Sequence, residues 1–458
     1  MAATVIDSLL FGDQFSTPAM RAVFSDGNTL QTWLDTEAAL AKAEAAAGVI
    51  PKAAAKEIAR VAKARLYDLA ALKREMDRTK HPIMPLVRAM AAKCRGGAGE
   101  YVHWGATTQD IMDTGTVLQL KGAFAEIDAG LEALERALAR LARKHRATPM
   151  AGRTHGQQAL PITFGYKLAV WLSEVRRHRQ RLAECRPRVL VGQFAGAVGT
   201  LASLGNKGMA VQARMMRELG LGVPEICWHT ARDGFAEAAS ILALAAGTCG
   251  KIANEVCVLQ RTEIGELEEP NLEGNVGSST MPHKRNPATS ETIVALSRAV
   301  AGCVGPALAG LVAEHERYKI GLQAEREFMP RVFCMTDAAI RKTTAVVAGL
   351  VVNKAAMRRN LDATRGLLLS EAVMMRLAQS IGRQKAHDVV HHACAEVLDK
   401  GVPLIEALRK VPAVRKALTE RQIQALLDPE AYTGLSTAFV DKVLAAGKTA
   451  RRRRRRSP

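Results

Sequence analysis

Aromatic side chains are scarce in this 458-residue chain, at 4% of residues. That poverty removes the platforms on which single-stranded nucleic acid stacks its bases, and no repeated basic/aromatic interleaving replaces them. No specific nucleic-acid partner is therefore expected, despite a net charge of +19. Six of those charges form the run at residues 451–456; with residues 448–458 as a whole it reads as a disordered, Arg-rich tail. The remaining positive excess suits an anionic small-molecule substrate. The eight cysteines form no CxxC pair and sit mostly in apolar helical stretches, so they read as reduced thiols rather than a disulfide framework. No basic segment followed by an apolar one opens the chain, and no run of about 18 uncharged apolar residues occurs. A cytoplasmic protein without a membrane anchor is expected. The most apolar stretch, residues 293–313, carries Arg298 and is interrupted at Gly305-Pro306; it reads as a buried helix.

Strand signals are also missing. Alternating β-branched runs bounded by turns do not occur, and Pro149, Gly152, Pro161, the Gly-rich residues 193–199 and Pro224 read as punctuation rather than as parts of strands. What is present is helical periodicity. Phe124, Ile127, Leu131, Leu134, Leu138 and Leu141 recur at alternating spacings of three and four, the seam of a helix packed nearly parallel to its neighbours. Residues 235–266 are Ala- and Leu-rich and free of proline, and read as a second long helix. The expected fold class is all-α, with an N-terminal helical domain at 1–110, a central long-helix bundle at 111–353 and a C-terminal helical domain at 354–447.

One segment leaves a long helix, passes Pro270, Gly274 and Gly277, and ends in Gly277-Ser278-Ser279-Thr280-Met281-Pro282-His283-Lys284-Arg285-Asn286-Pro287. Glycine and small residues make such a loop adaptable, while Lys284 and Asn286 set a cation and an amide donor close together. This is anion-binding chemistry, although a solvated surface turn has a similar composition. Three further polar segments interrupt the apolar pattern: Thr79-Lys80-His81-Pro82, His103-Trp104-Gly105-Ala106-Thr107-Thr108-Gln109-Asp110, and Arg153-Thr154-His155-Gly156-Gln157. Taken alone, His81 and His155 are equally readable as loop histidines, and Thr108 or Asp110 as a helix cap.

The eleven-residue segment resembles the signature loop of the fumarase/aspartase superfamily. The resemblance implies that Ser278 is the base that removes a proton α to a carboxylate, and that Lys284 and Asn286 bind that carboxylate. It also implies binding roles for Thr107, Thr108, His103 and Gln157. His155 is then a general acid and His81 a second active-site histidine. Removing such a proton requires preplaced positive charge for the dianionic intermediate, and Lys284 and Asn286 are suited to supply it. Ser278 itself needs activation by loop closure, nearby N–H groups or positive charge.

Similarity to the superfamily extends from Thr17 to Tyr432. Stretches such as Trp228-His229-Thr230-Ala231-Arg232-Asp233 resemble the 3-carboxy-cis,cis-muconate cycloisomerase branch. His81, His155 and the pair Arg317 and Arg326, nine residues apart, resemble adenylosuccinate lyases, whose paired arginines hold a phosphate; a charge pattern on a helix surface is the other reading of that pair. With two histidines available to protonate a leaving group, the expectation is C–N cleavage of a succinyl-type polycarboxylate with release of fumarate. Lactone chemistry of the cycloisomerase kind and a catalytically silent scaffold are the alternatives. The resemblance further implies a homotetramer with active sites shared between subunits, and neither a metal nor an organic cofactor.

Overall fold

The computed structural model describes residues 4–271, 274 and 277–454, and its secondary structure is overwhelmingly helical. The fold is all-α. Contacts group the chain into two compact units, the first made of residues 1–132, 177–250 and 292–341, the second of 133–176, 251–291 and 342–458.

In the first unit, helix α1 (Asp26–Ala46) starts where the Ser25 hydroxyl accepts the Asn28 N–H, and Asp26 places negative charge in the first turn. Leu30, Leu34 and Ala41 of α1 join Ile58, Leu86 and Met90 in a buried cluster. Each large aliphatic side chain so buried contributes on the order of 2 kcal/mol. Helix α2 (Thr108–Lys144), with residues 108–132 in the first unit and 133–144 in the second, carries the seam read from the sequence: Phe124, Ile127, Leu134 and Leu138 are fully buried and Leu131 and Leu141 nearly so. Thr107 precedes α2, and the carboxylate of Asp110, the third helical residue, reaches back to accept the Thr107 N–H at 3.0 Å, which is the return arm of a capping box.

In the second unit, Val373, Leu377, Val390, Leu404 and Leu408 form the core of the C-terminal helices. Here the expectation that Pro149, Gly152 and Pro161 punctuate the chain is overturned. They lie within a two-stranded antiparallel hairpin of β1 (Pro149–Thr154) and β2 (Gln157–Thr163). The two-residue turn is His155-Gly156, with φ of 51° and 77°, the mirror-image turn whose twist matches that of paired strands. Prolines are tolerated because each strand of a two-stranded ribbon has an unpaired edge. Gly152 falls at the register shift, where a Cβ would meet the Leu160 carbonyl oxygen at 2.9 Å.

Helix α3 (Asp233–Leu259) ends earlier than the composition suggests, because the chain turns back so that the Glu266 N–H donates to the Leu259 carbonyl and Gly265 adopts φ of 62°. The apolar stretch after residue 287 is two helices, α4 (Ala288–Gly302) and α5 (Val304–Ala309), with Pro306 in the first turn of the second. It is not the buried helix that its composition suggests: only 28% of its most apolar window is buried within the chain, against 50% for α3. By length and composition alone both stretches could cross a membrane. Helix α6 (Lys319–Gly349) follows, and the last helix, α7, is Ser436–Arg454. Thus α7 enters the Arg-rich segment, and residues 455–458 of the expected disordered tail lie outside the described residues.

Candidate functional site

In the first unit, two of the segments singled out by sequence, residues 79–82 and 103–110, converge with the pair Arg317 and Arg326. Helix Leu69–Thr79 ends with Lys80 in the left-handed region, φ 52°, and this reversal presents His81. The backbone N–H of Met84 donates to His81 Nδ1 at 3.0 Å. Since Nδ1 accepts, the proton of a neutral ring sits on Nε2, which lies 3.1 Å from Thr108 Oγ1 and donates to it. Partial burial, and then the cationic His103, Lys319, Arg317 and Arg88, hold the His81 pKa below the ordinary imidazole value. His81 is thus a neutral N–H donor at neutral pH.

Arg317 Nη1 donates to Thr107 Oγ1 at 2.8 Å, so the adjacent hydroxyls of Thr107 and Thr108 are held by different partners. At Thr108 lies a cavity of about 430 Å³ whose lining includes Lys80, His81, Thr108, Arg317, Lys319 and Arg326, and no carboxylate. Arg326 donates to Gln323 Oε1 at 2.9 Å and to Met112 Sδ at 3.2 Å. Four cationic side chains without acidic neutralisation in the lining describe a receptor for a polyanion.

His103 is set back from this cavity. It takes φ of 62°, and its Nδ1 lies 2.6 Å from the Glu37 carboxylate, with the two side chains 12% and 1% exposed. Burial opposes charging of His103, but Glu37 overcomes it and raises the pKa. Behind Glu37 is Glu44, fully buried, with neither carboxyl oxygen hydrogen-bonded among the described residues. Burial, and then the Glu37 charge, push its pKa up to about 9, so Glu44 is protonated at neutral pH.

Sequence reasoning missed these acids. Leu30, Leu34, Glu37, Ala41 and Glu44 follow the three-and-four spacing of an apolar seam on α1, and two glutamates at core positions were the available signal. A second buried network was also missed. Asp110, fully buried, accepts from the N–H groups of Ala195 and Gly196, each at 3.0 Å, and pairs with His229 Nε2 at 2.8 Å. Arg232, 4% exposed, bridges Asp113 at 2.8 Å and the carboxylate of Glu325, with its guanidinium over the rings of Trp228 and Phe235. These contacts bind the residue 193–199 loop and the residue 227–232 loop to the first turns of α2.

In the second unit, the signature loop is folded on itself. Asn286 Nδ2 donates to the Gly277 carbonyl at 2.7 Å, and a Cβ on Gly277 would fall 2.2 Å from the Lys284 carbonyl oxygen. Only glycine fits there. Ser278 Oγ accepts from the backbone N–H of Met281 at 3.0 Å and of Thr280 at 3.3 Å. Two backbone donors aimed at one oxygen are an arrangement that would favour negative charge there. The Lys284 side chain is exposed, whereas the Asn286 amide is engaged in closing the loop.

His155 stands at the exposed hairpin tip with Gln157 beside it, and neither side chain forms a hydrogen bond among the described residues. The hairpin is anchored through Arg153, which makes two hydrogen bonds of 2.9 and 2.6 Å to the fully buried Glu266, itself bonded to Asn360 at 2.8 Å. The first unit therefore gathers His81, His103, Thr107, Thr108, Arg317 and Arg326. The second carries Ser278, Lys284, Asn286, His155 and Gln157, with the two histidine-side residues on a different element from the signature loop.

Comparison with known proteins gives these residues a setting. Residues 13–302 match the family model described as lyase, and residues 366–443 the model described as adenylosuccinate lyase C-terminus. The chain is 44% identical over 449 residues to an N-acetyl-S-(2-succino)cysteine lyase of Enterococcus italicus, covering 98% of each chain. It is 44% identical over 440 residues to a 3-carboxy-cis,cis-muconate cycloisomerase of Pseudomonas aeruginosa, covering 95% of this chain and 96% of that one. The crystal structure of the 3-carboxy-cis,cis-muconate lactonizing enzyme from Pseudomonas putida superposes with a TM-score of 0.90 at 42% identity, covering 96% and 99%.

Proposed function

The chain belongs to the fumarase/aspartase superfamily of lyases, and on that footing we propose that it is a β-elimination enzyme that cleaves a succinyl-type polycarboxylate and releases fumarate. The observation that carries this reading is the acid-free cationic cavity at Thr108 with a neutral, proton-bearing His81 at its wall. A succinyl group offers two carboxylates to such a cavity.

In this mechanism Thr107, Thr108, Lys284 and Asn286 hold the carboxylates. Ser278, its alkoxide supported by the N–H groups of Thr280 and Met281, removes the α-proton. The negative charge that develops falls on the held carboxylate. His155 donates a proton to the departing heteroatom while His81 keeps the Thr108 hydroxyl oriented. Asn286 must leave the Gly277 carbonyl to reach substrate, so binding involves opening and reclosing of the signature loop.

Two leaving groups fit. Nitrogen is favoured by the availability of His155 as a proton donor, because an expelled amine needs a proton. Sulfur is favoured by the relative named for a succinylated cysteine; a thiolate leaves more readily and leans less on an acid. Assay of N-succinyl amino acids, adenylosuccinate, N-acetyl-S-(2-succino)cysteine and 3-carboxymuconate separates them. Fumarate from a succinylated amine or thiol is the expected result. Consumption of 3-carboxymuconate alone assigns lactone chemistry instead, and inactivity on every compound supports a silent scaffold.

A cytoplasmic homotetramer with shared sites completes the proposal. The apolar faces of α3 and of the α4–α5 stretch, covered only in part by the chain itself, support assembly with further copies. Sedimentation is expected to give about four times the 49.3 kDa of one chain, and a monomer at micromolar concentration contradicts it.

A further inference from the structure

Behind the residue 195–199 loop lies a cluster that the proposed reaction leaves unused: Cys227, Gln193, His229 and Asp110. Gln193 Oε1 accepts the Trp228 N–H at 3.0 Å, which fixes the amide so that Nε2 donates to Cys227 Sγ at 3.3 Å. A donor aimed at sulfur favours its anionic form. His229 is 1% exposed. Its Nε2 is held by Asp110 at 2.8 Å, and its Nδ1 has no hydrogen-bond partner of normal geometry among the described residues. Cys227 is the other group acting on this ring.

We propose that Cys227 is a pre-activated thiol, a modification site for small uncharged electrophiles, and that its modification deforms one wall of the cationic cavity. Coupling to the cavity follows from steric contact. Gly199 has φ of 91°, and a Cβ there would lie 2.9 Å from both Cβ and Sγ of Cys227. No atom can be added between them. Ala197 and Val198, immediately before Gly199, line the cavity that contains Thr108 and Arg317. Cys227 is partly exposed, and a group added to its sulfur on the side of Gly199 must turn the side chain or displace this loop.

Acid–base chemistry agrees with the geometry. Burial raises the Cys227 pKa, but His229 and Gln193 outweigh it and the net shift is downward. Burial works against charging of His229, yet Asp110 and Cys227 bring its pKa up to about 9. By contrast, burial drives Cys94, Cys257, Cys303 and Cys394 upward. With iodoacetamide the step is a displacement: the sulfur–carbon bond forms, the carbon–iodine bond breaks, and iodide leaves with its electron pair while His229 keeps its proton.

The test treats the full-length protein with limiting iodoacetamide at neutral pH and maps the label by peptide mass. Cys227 is expected to react at least about tenfold faster than Cys94. The labelled protein is expected to show faster amide hydrogen exchange across residues 195–199. His229→Gln is expected to slow the labelling of Cys227. Should that variant not fold, Gln193→Leu and the far-ultraviolet thiolate absorbance lost in Cys227→Ser read the same property. Labelling of Cys227 no faster than Cys94, or unchanged exchange in the 195–199 loop after labelling, overturns the proposal. Neither readout depends on the substrate, so its failure is distinguishable from failure of the lyase reading.

Discussion

His81 Nε2 lies 3.1 Å from Thr108 Oγ1, with the opposite ring nitrogen accepting the Met84 N–H. One imidazole thus ties the start of α2 to the loop after residue 79, and its tautomer is set by backbone geometry. His81→Gln keeps a donor of similar reach, whereas His81→Ala removes it. If His81 orients Thr108, Ala is expected to raise KM and lower kcat/KM by about 10²-fold while Gln retains most activity. Equal losses in both variants, with KM unchanged, indicate a chemical role for the ring instead.

Arg317 donates to Thr107 Oγ1 across 2.8 Å at the edge of an acid-free cavity. Arg317→Ala is expected to weaken binding by roughly 1.5–3 kcal/mol, as loss of a charge-assisted hydrogen bond does. Isothermal titration with a dicarboxylate competitor checks this. Unchanged affinity removes Arg317 from the site.

Glu37 raises the His103 pKa, and the His103 cation in turn helps lower that of His81. Glu37→Gln is expected to move the two in opposite directions, His103 down and His81 up, when the ring protons are followed through a pH titration by NMR. His81→Gln and His103→Gln spectra supply the assignments. Parallel shifts contradict the coupling.

Glu44 is protonated in the folded chain, with a pKa raised by burial from 4.5 to about 9. The folded state then holds a proton that the unfolded state releases above pH 4.5. This contribution is fully present below pH 4.5 and is lost progressively as pH rises toward about 9. Glu44→Gln is expected to equal wild type in stability near pH 4 and to exceed it at pH 8 by a Tm gain of roughly a few degrees. A variant less stable than wild type at pH 8 shows that Glu44 is ionised and paired.

Arg232 compensates two buried carboxylates, Asp113 and Glu325. Arg232→Met leaves both uncompensated and is expected to cost about 3–5 kcal/mol in denaturant unfolding. A loss below about 1 kcal/mol is incompatible with a buried triad.

Much of the fold was legible because helical burial imposes a period. The Phe124 to Leu141 seam is buried as its spacing indicates. The hairpin was not legible: its strands contain Pro149 and Pro161, and they are joined by the His155-Gly156 turn, whose first residue is not the Asn, Asp or Gly that usually signals such a turn. For α4 and α5, apolar composition indicated burial within the chain, which the fold supplies only in part; composition does not say what covers a surface. The chemical segments were visible because polar and glycine residues broke apolar periodicity at residues 79–82, 103–110, 153–157 and 277–287. Their partners Glu37, His229 and Glu266 were hidden because each is distant in sequence from the segment it holds, and periodicity carries no information about long-range ion pairs.

The most direct test is fumarate release by Ser278→Ala against wild type, measured by absorbance with whichever succinylated amine or thiol the wild-type enzyme cleaves. Loss of the base is expected to lower kcat by about 10³-fold or more while competitor affinity stays within about twofold, because the Thr280 and Met281 N–H groups stabilise an oxygen that the variant lacks. Turnover by Ser278→Ala at the wild-type rate contradicts the assignment of Ser278 as base.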